Sequence, residues 1–581
     1  MDVAKTLKRM QYAFILLTAI SQRTSCELFS STEQLSSWPV VSRQLLGAID
    51  EYIRLEEETL QRLRITIKLF EGFTTRLLHD NLERVEDETI TNPVIAFANL
   101  NRIIVSLDEF RYRMDKDILR AKERIQQADD QYNELKAIIP NGDDLVGIGE
   151  AIIRLQKFYR LNTSDLAIGR LVSGQDPNKS LGQVIKLTAK ECFRIGKIAY
   201  DNDDYTTSVE WFQRSLDLIP EEQSAKQEYY SEDEFATFTN DVLDHLAFAA
   251  YKIKHFKYAA EVTKLWLDRD PENERARENL DYYIELLEDQ ESYQAEELAM
   301  EGDNDGVKKN MANIYQSDST LDAGSYVLTE DDVIRDLCIG SQVTNDDSYC
   351  YVRNTFAQDP LIPNLKFEIL NNSPRIIRIH DIITDREAEQ LRQIALSKLE
   401  RSTVQSSRGL VASDFRIAKT AWIASTNNSL VGRVEDRMRI ATGLRLENSE
   451  DLQLVNYGLG GYYGPHLDSA RKSRSSHDRS MESEEEQVEV ASLRKSDRLA
   501  TILIYLNHID AGGATVFPRL NLTVEPIKNS AIIWYNLSPD GFSDERTLHS
   551  GCPVLLGTKW IATKWPREDP NIFVRPCELK G

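Results

Sequence analysis

Three side chains of this sequence have the types and spacing to hold a redox metal on an open face: His466, Asp468 and His549. A His-x-Asp pair on an extended segment projects both groups to one side, because strand residues two apart point the same way. A second, distant imidazole then gives two neutral nitrogens and one carboxylate on one face of an octahedron. Three positions stay open for an oxidant and a cosubstrate, the arrangement of non-haem iron(II) oxygenases. The pattern occurs twice, at His466-Leu467-Asp468 and at His508-Ile509-Asp510. The second copy runs into the turn AGGA, where Asp510 reads as a turn former. The first lies in NYGLGGYYGPHLD (456–468), where glycines and Pro465 shape a loop after the apolar run LQLVNY, so it is the expected metal pair. Downstream, TLHSGCPVLLGTKW (547–560) supplies His549 and then Lys559. A buried lysine on a neighbouring strand would pair with the distal carboxylate of a dicarboxylate; otherwise Lys559 is an ordinary surface cation.

These side chains need a scaffold of short strands. The runs LQLVNY (452–457), LATILIYL (499–506), AIIWY (531–535), PVLL (553–556) and WIAT (560–563) are bounded by turns and predict a β-sandwich or jelly roll. The N-terminal half is different. Apolar residues at Leu46, Ile49, Ile53, Leu60, Leu63, Ile67 and Phe70, and again at Leu100, Ile104, Leu107, Met114, Ile118, Ala121 and Ile125, predict two long amphipathic helices that fold on each other or pair between chains. An internal echo follows: Ala199-Tyr200, Tyr205, Leu216 and Pro220 recur as Ala250-Tyr251, Phe256, Leu267 and Pro271. This resembles tetratricopeptide helix pairs, with a proline after each second helix and an insertion over roughly 221–236. Such pairs form a concave groove suited to an extended peptide. Residues 291–365 are acidic and polar and read as a linker.

At 581 residues the chain exceeds one core. Its net charge of −24 disfavours nucleic acid as a partner. YAFILLTAI (12–20) behind Lys5, Lys8 and Arg9 has the layout of a secretory signal peptide and is too short to span a bilayer, so the expectation is a chain of the secretory pathway without a membrane span. Disulfides persist there. Of the six cysteines, Cys338 with Cys350 would close a small loop and Cys552 with Cys577 brackets the end, Cys192 reads as a buried thiol, and Cys26 is unassigned. Sequence alone does not fix the pairing. Glycosylation sequons fall at Asn162, Asn178, Asn371, Asn427, Asn521 and Asn536, of which the first two are expected to be exposed and Asn536 buried. The ELKG terminus is not a retrieval signal of the KDEL kind, so residence in the endoplasmic reticulum lumen would require a partner.

Taken together, NYGxGGxYxPHxD (456–468), AGGATVFP (511–518) and the stretch from His549 to Trp565 with CPVLxGxKW (552–560) resemble the α subunit of collagen prolyl 4-hydroxylase, and the similarity extends through the helical regions. The resemblance implies Fe(2+) on His466, Asp468 and His549, 2-oxoglutarate on Lys559, and Tyr505, Thr515 and Tyr457 as supporting groups. It implies oxidative decarboxylation to succinate coupled to hydroxylation at C4 of proline in collagen-like X-Pro-Gly sequences, with L-ascorbate rescuing oxidised iron. Arg498, Tyr463 and Trp565 match peptide-touching positions of related prolyl hydroxylases. The tandem helices look like the family's peptide-substrate-binding domain, with Tyr200, Tyr251 and Tyr282 matching its tyrosine lining. A protein disulfide isomerase β subunit, in an α2β2 tetramer, is the implied partner. Two departures stand out. His245 and Phe248 replace tyrosines of better-known members, and the charged 469–497 insertion, with His477 read as solvated, is longer than theirs.

The expected organisation is α+β multidomain: signal peptide 1–21, a helical dimerisation domain 22–150, a tetratricopeptide-like domain 185–290, a linker 291–365 with a disulfide loop, and a double-stranded β-helix (jelly-roll) dioxygenase domain 366–581. Two other functions stay open at this stage. One is a non-catalytic peptide-binding or chaperone protein that keeps only the shell of an oxygenase; the other is a dioxygenase acting on another secreted substrate.

Overall fold

A computed structural model describes residues 28–36, 38–82, 93–135, 140–171, 185–224, 232–300, 329–340, 349–355, 364–406, 409–412, 416–470 and 496–576. The signal segment, Cys26, Asn178, residues 471–495 of the charged insertion with His477, Cys577 and the ELKG terminus lie outside them. None of the described helices is long and apolar enough to cross a membrane. The chain divides into two units, one holding Gln34–Asn141 and one holding Phe29–Glu33 with Gly142–Gly581.

The first unit is a helical hairpin of α1 (Trp38–Leu82) and α2 (Pro93–Leu135). Proline at the first position of α2 suits a helix start, where the missing N–H has no intrahelical acceptor. Arg124 reaches across from α2 to donate to Thr59 at 3.2 Å. Much of the expected apolar seam, including Leu46, Leu60, Ile67, Ile104, Leu107 and Ile118, is exposed within the single chain. The unit ends before residue 150, contrary to expectation, because helix α3 (Gly142–Tyr159) belongs to the second unit. Its buried face carries Gly147, Ala151, Leu155 and Tyr159, and the Tyr159 hydroxyl donates to the Pro553 carbonyl at 2.6 Å.

After α3 come α4 (Ala189–Asp201), α5 (Tyr205–Ser224), α6 (Glu232–Lys252), α7 (Phe256–Arg269) and α8 (Glu274–Met300). Thr188 and Glu191 form a capping box that starts α4. The pairs interlock through Trp211, Phe212, Leu218, Val242, Leu243, Leu246, Ala249 and Ala250, all fully buried. Cys192 is buried among them, as expected, and its thiol is pushed up to about 12 by that burial. One detail departs from expectation: Pro220 lies inside α5 rather than after it, so the interruption between the pairs begins beyond Ser224. Pro271 does follow α7.

The expected linker is partly structured, and its disulfide differs. Within it lie α9 (Glu330–Ile339) and the first strand, β1 (Tyr349–Asn354). Cys338 bonds to Cys552, 214 residues away, while Cys350 is free and exposed. The expected Cys338–Cys350 and Cys552–Cys577 bridges are therefore wrong. Ile334 and Leu337 bury against Ala514, Val516 and Cys552, which carries the end of α9 onto a strand that sequence spacing does not link to it.

The remaining strands are β2 (Asn364–Asn372), β3 (Arg375–His380), β4 (Glu400–Arg401), β5 (Thr403–Ser406), β6 (Gly409–Ala412), β7 (Ala418–Ile423), β8 (Leu452–Tyr457), β9 (Tyr463–His466), β10 (Ala500–Tyr505), β11 (Ala511–Gly512), β12 (Thr515–Phe517), β13 (Leu522–Val524), β14 (Ala531–Tyr535), β15 (His549–Gly551), β16 (Val554–Leu556) and β17 (Trp560–Lys564). The major sheet runs β1-β2-β3-β14-β10-β17-β8-β7-β4 and the minor one β13-β12-β15-β9. This is the expected jelly roll, extended by β1 from the linker. Helices α10 (Asp385–Leu396) and α11 (Ser429–Thr442) cover one face of the major sheet through Leu391, Val431, Val434 and Met438. Val455, Tyr457, Tyr505, Ile532 and Ile561 on the other face pack against Phe517 and Val524 of the minor sheet.

Between α10 and α11 lies a buried ion pair, Arg437 with Glu387, at 2.5 and 2.9 Å. Burial alone would raise the Glu387 carboxyl, but the hydrogen bonds from Arg437 and Thr384 outweigh it and hold the group down at about 2. Because the folded value lies below the ordinary 4.5, the stabilisation is present above about 4.5 and is lost as pH falls toward about 2. Arg437→Met is expected to destabilise the domain by about 3–5 kcal/mol at neutral pH, since it strands a buried carboxylate. Adding Glu387→Leu is expected to recover most of that loss; denaturant midpoints of the two variants check this.

Candidate metal and cosubstrate site

His466 closes β9 and His549 opens β15, its antiparallel neighbour, and the two stand opposite each other in register. Asp468 follows β9 past the Gly-rich loop. Its Oδ1 lies 3.6 Å from His466 Nε2 and its Oδ2 3.8 Å from His549 Nε2. Each histidine turns Nδ1 to a backbone carbonyl, that of Gly464 at 2.8 Å and that of Thr547 at 3.0 Å. A carbonyl accepts only, so Nδ1 donates and both Nε2 lone pairs are directed to one point. Burial, then the neighbouring His549, pushes the His466 imidazole well below its ordinary value, which keeps it neutral as a ligand. Burial would raise Asp468, but His549, His466 and Arg498 outweigh it and hold it below the carboxylate range. Two neutral nitrogens and one ionised oxygen, all within 4.8 Å of one another, fit one divalent ion such as iron(II). The competing pair does not gather: the His508 and Asp510 side chains are 78% and 57% exposed.

Asp468 is held by Thr501, which sequence reading missed, and by Trp565, which it matched to a peptide-touching position instead. Oδ2 accepts from the Thr501 hydroxyl at 2.6 Å and from the Trp565 indole at 3.1 Å. Asn536, buried as expected, donates to Thr501 at 3.0 Å. Thr501 is polar within the otherwise apolar strand β10, the one sequence signal that marked it. Thr501→Val keeps the shape and removes the donor. It is expected to weaken iron binding by about 10- to 100-fold with no loss of fold, read by metal titration.

Lys559, immediately before β17, is 1% exposed and donates to the Gly513 carbonyl at 2.7 Å. Its ammonium also lies 4.8 Å from the Tyr457 ring. Burial pushes it down to about 7, the mark of a cation without a compensating anion. Gly513 takes a positive φ of 72°, and Gly551 keeps the space near Nζ open. Tyr505 and Thr515 meet on the same inner surface, hydroxyl to hydroxyl at 2.8 Å. The four residues expected around a dicarboxylate therefore share the interior of the sandwich with the metal cluster.

Of the expected peptide contacts, Tyr463 stacks on His466 at 3.6 Å and carries the Arg416 guanidinium 4.7 Å above its ring. Arg498 pairs bidentately with Glu450 at 2.5 and 2.8 Å and stacks on Trp565 at 3.9 Å. It is thus a half-buried support for Trp565. In the helical domain an aromatic strip runs from Phe193 through His245, Tyr200, Phe248 and Tyr251 to Tyr282, each ring 5.3–5.8 Å from the next. His245 and Phe248 continue the strip where tyrosines were the reference, keeping the flat surface and dropping hydroxyls.

A jelly roll holding a two-histidine, one-carboxylate cluster and a buried lysine in its interior defines an iron- and 2-oxoglutarate-dependent dioxygenase domain. Comparison with known proteins agrees. The model of the 2OG-Fe(II) oxygenase superfamily matches residues 452–567. Those of the prolyl 4-hydroxylase peptide-substrate-binding domain and the prolyl 4-hydroxylase alpha-subunit N-terminal region match 189–289 and 31–173. Prolyl 4-hydroxylase subunit alpha-3 of Mus musculus is 32% identical over 562 residues, covering 95% of this chain and 94% of that one. Subunit alpha-1 of Caenorhabditis elegans is 32% identical over 583 residues (98% and 94%), and subunit alpha-1 of Homo sapiens 31% over 561 (95% of each). The chain belongs to the prolyl 4-hydroxylase alpha-subunit family.

Proposed function

We propose that this chain is the catalytic subunit that hydroxylates C4 of proline in collagen-like X-Pro-Gly sequences while 2-oxoglutarate is converted to succinate. The observation that carries this reading is the cluster of His466, Asp468 and His549 in one interior with the cation of Lys559, which has no anion beside it among the described residues. Iron(II), when bound there, would supply the chemistry by which dioxygen converts 2-oxoglutarate to succinate and carbon dioxide and places its other oxygen atom on the proline ring. His466 and His549 offer Nε2, and Asp468 offers a carboxylate that Thr501 and Trp565 keep in place. Lys559 takes the distal carboxylate of the cosubstrate, with Tyr505 and Thr515 as hydroxyl partners and Tyr457 closing the wall. Tyr463 and Trp565 present aromatic faces at the metal side. The strip from Phe193 to Tyr282 grips proline rings, which lack amide hydrogens and need only flat apolar surface.

L-ascorbate would restore iron oxidised in turnover without peptide. A protein disulfide isomerase subunit, in an α2β2 assembly, would retain the chain in the endoplasmic reticulum lumen, and the exposed Leu46, Ile67 and Ile104 of the helical hairpin would serve its dimerisation. Among the described residues, the exposed Asn162, Asn427 and Asn521 are the sequons open to glycosylation. A non-catalytic peptide carrier would need the aromatic strip alone, and the ordered Nδ1 bonds of both histidines have no use in it. Succinate formation with iron, 2-oxoglutarate and ascorbate, with and without a Pro-Pro-Gly repeat peptide, decides between them: peptide-stimulated succinate is expected, and none under either condition would favour the carrier.

A further inference from the structure

Trp422 lies on β7 between Ala421 and Ile423, which are 1% and 2% exposed, yet its own side chain is 45% exposed. The other tryptophans of the major sheet and its margin, Trp534, Trp560 and Trp565, are 0%, 0% and 6% exposed. A single apolar ring left in water is ordinary on a protein surface, and what marks this one is the place in which it stands.

The sheet register places this ring. Trp422 pairs with Gln453 on β8, Gln453 with Thr563 on β17, and Thr563 with Leu503 on β10. Paired residues share a face. The next row on that face is Thr420, Val455, Ile561 and Tyr505, whose hydroxyl reaches Thr515 of the minor sheet. Trp422 therefore stands on the inner, metal-bearing side of the sandwich. Its ring lies 6.1 Å from that of Trp565, tilted by 38°, and the Trp565 indole donates to Asp468. Beside it, Gln453 accepts from Arg416 at 3.1 Å, and Arg416 stacks on Tyr463, which stacks on His466. Two lines of contact thus run outward from the metal ligands, and Trp422 is the exposed end of the one through Trp565.

We propose that Trp422 is a peptide-contact residue: it accepts the ring of a proline flanking the one that reacts, and so sets a preference for proline-rich sequence around the target. This rests on the prolyl-peptide reading above. The 6.1 Å from Trp565 to Trp422 is close to the rise of two residues in a polyproline II chain, at about 3.1 Å per residue. One extended peptide would therefore present a reacting residue at Trp565 and a flanking ring at Trp422. Neither contact asks for a hydrogen bond from the peptide, which matches the donor-poor indole face. Arg416 directs its guanidinium to Gln453 and the Tyr463 ring.

The test uses the full chain with its partner subunit and short proline-rich peptides that rely on the catalytic domain for binding. Trp422→Ala is expected to raise the peptide KM about tenfold, the scale of one lost aromatic contact, and Trp422→Phe to restore most of it. Peptide-free succinate formation is expected to be unchanged. Replacing the flanking proline of the peptide by alanine is expected to erase the difference between wild type and Trp422→Ala. An unchanged KM, or a KM shift that persists with the alanine peptide, overturns the assignment of Trp422 alone. Absence of hydroxylation of every prolyl peptide by the wild type, with peptide-free succinate intact, overturns the prolyl reading as well. Independently of whether Trp422→Ala folds, acrylamide quenching of the wild type is expected to show an accessible indole component that peptide protects and that Trp422→Phe lacks; no protection counts against the proposal.

Discussion

His549→Ala is expected to lower both peptide hydroxylation and peptide-free succinate formation by about a thousandfold or more, beyond the roughly 10- to 100-fold typical of a lost supporting residue. Its Nε2 is one of three ligand atoms, and removing it leaves His466 and Asp468 to hold an ion with two. The imidazole also fills space against Trp534 at 4.8 Å and Phe517 at 5.7 Å. His549→Gln, which keeps more of that volume, separates lost ligation from a cavity. Bound iron measured by metal analysis is expected to fall in both variants, with thermal midpoints near wild type in the glutamine one. His508→Ala removes the exposed histidine of the competing His-x-Asp pair and is expected to leave iron and activity unchanged. Iron content and turnover that survive His549→Ala would remove this residue from the site.

Lys559→Met is expected to raise the 2-oxoglutarate Kd by roughly 30-fold to several thousandfold, the range for truncating one partner of a buried charge pair. Stability is expected to move the other way. A fully buried cation without an anion costs free energy in the ligand-free chain, so methionine, which keeps the stem, is expected to leave the thermal midpoint unchanged or higher. A residue that weakens folding and strengthens binding is one retained for its ligand. The same group sets a pH dependence. Without ligand, burial holds Lys559 near 7; a bound carboxylate favours the ammonium and raises that value. Binding therefore takes up a proton above about pH 7, and affinity is full below that value and falls by up to about tenfold per pH unit above it. Titration calorimetry in buffers of different ionisation enthalpy reads the proton uptake directly. Lys559→Arg, charged at every pH, is expected to abolish the dependence, and a wild-type affinity that is flat from pH 7 to 9 would contradict the assignment.

Much of the site was legible because strands and ligands leave local signatures. LQLVNY and AIIWY are β8 and β14 residue for residue, since a strand buried on both faces is a continuous apolar run between turns. His466 and Asp468 were marked by spacing, and the glycine loop before them distinguished them from His508 and Asp510. What stayed hidden depends on pairing between distant segments. Thr501 supports Asp468 only because β10 lies beside β14 and β17, an order that no local pattern encodes. The Cys338–Cys552 bridge was missed for the same reason: α9 packs on the minor sheet, and proximity in sequence suggested Cys350 instead. Arg498, matched in sequence to a peptide-touching position, is paired with Glu450, whose position only the folded chain shows. The aromatic strip was visible as three tyrosines with His245 and Phe248 at two further lining positions, and helix packing adds Phe193 to it.

The most direct test of the central claim is analysis of the product. Incubation of the chain, co-expressed with the protein disulfide isomerase proposed above, with iron(II), 2-oxoglutarate, ascorbate and a Pro-Pro-Gly repeat peptide, followed by mass spectrometry and amino-acid analysis, is predicted to give 4-hydroxyproline before glycine, with succinate formed in equal amount. Succinate without oxygen on the peptide, or oxygen on a carbon other than C4 of proline, would contradict it.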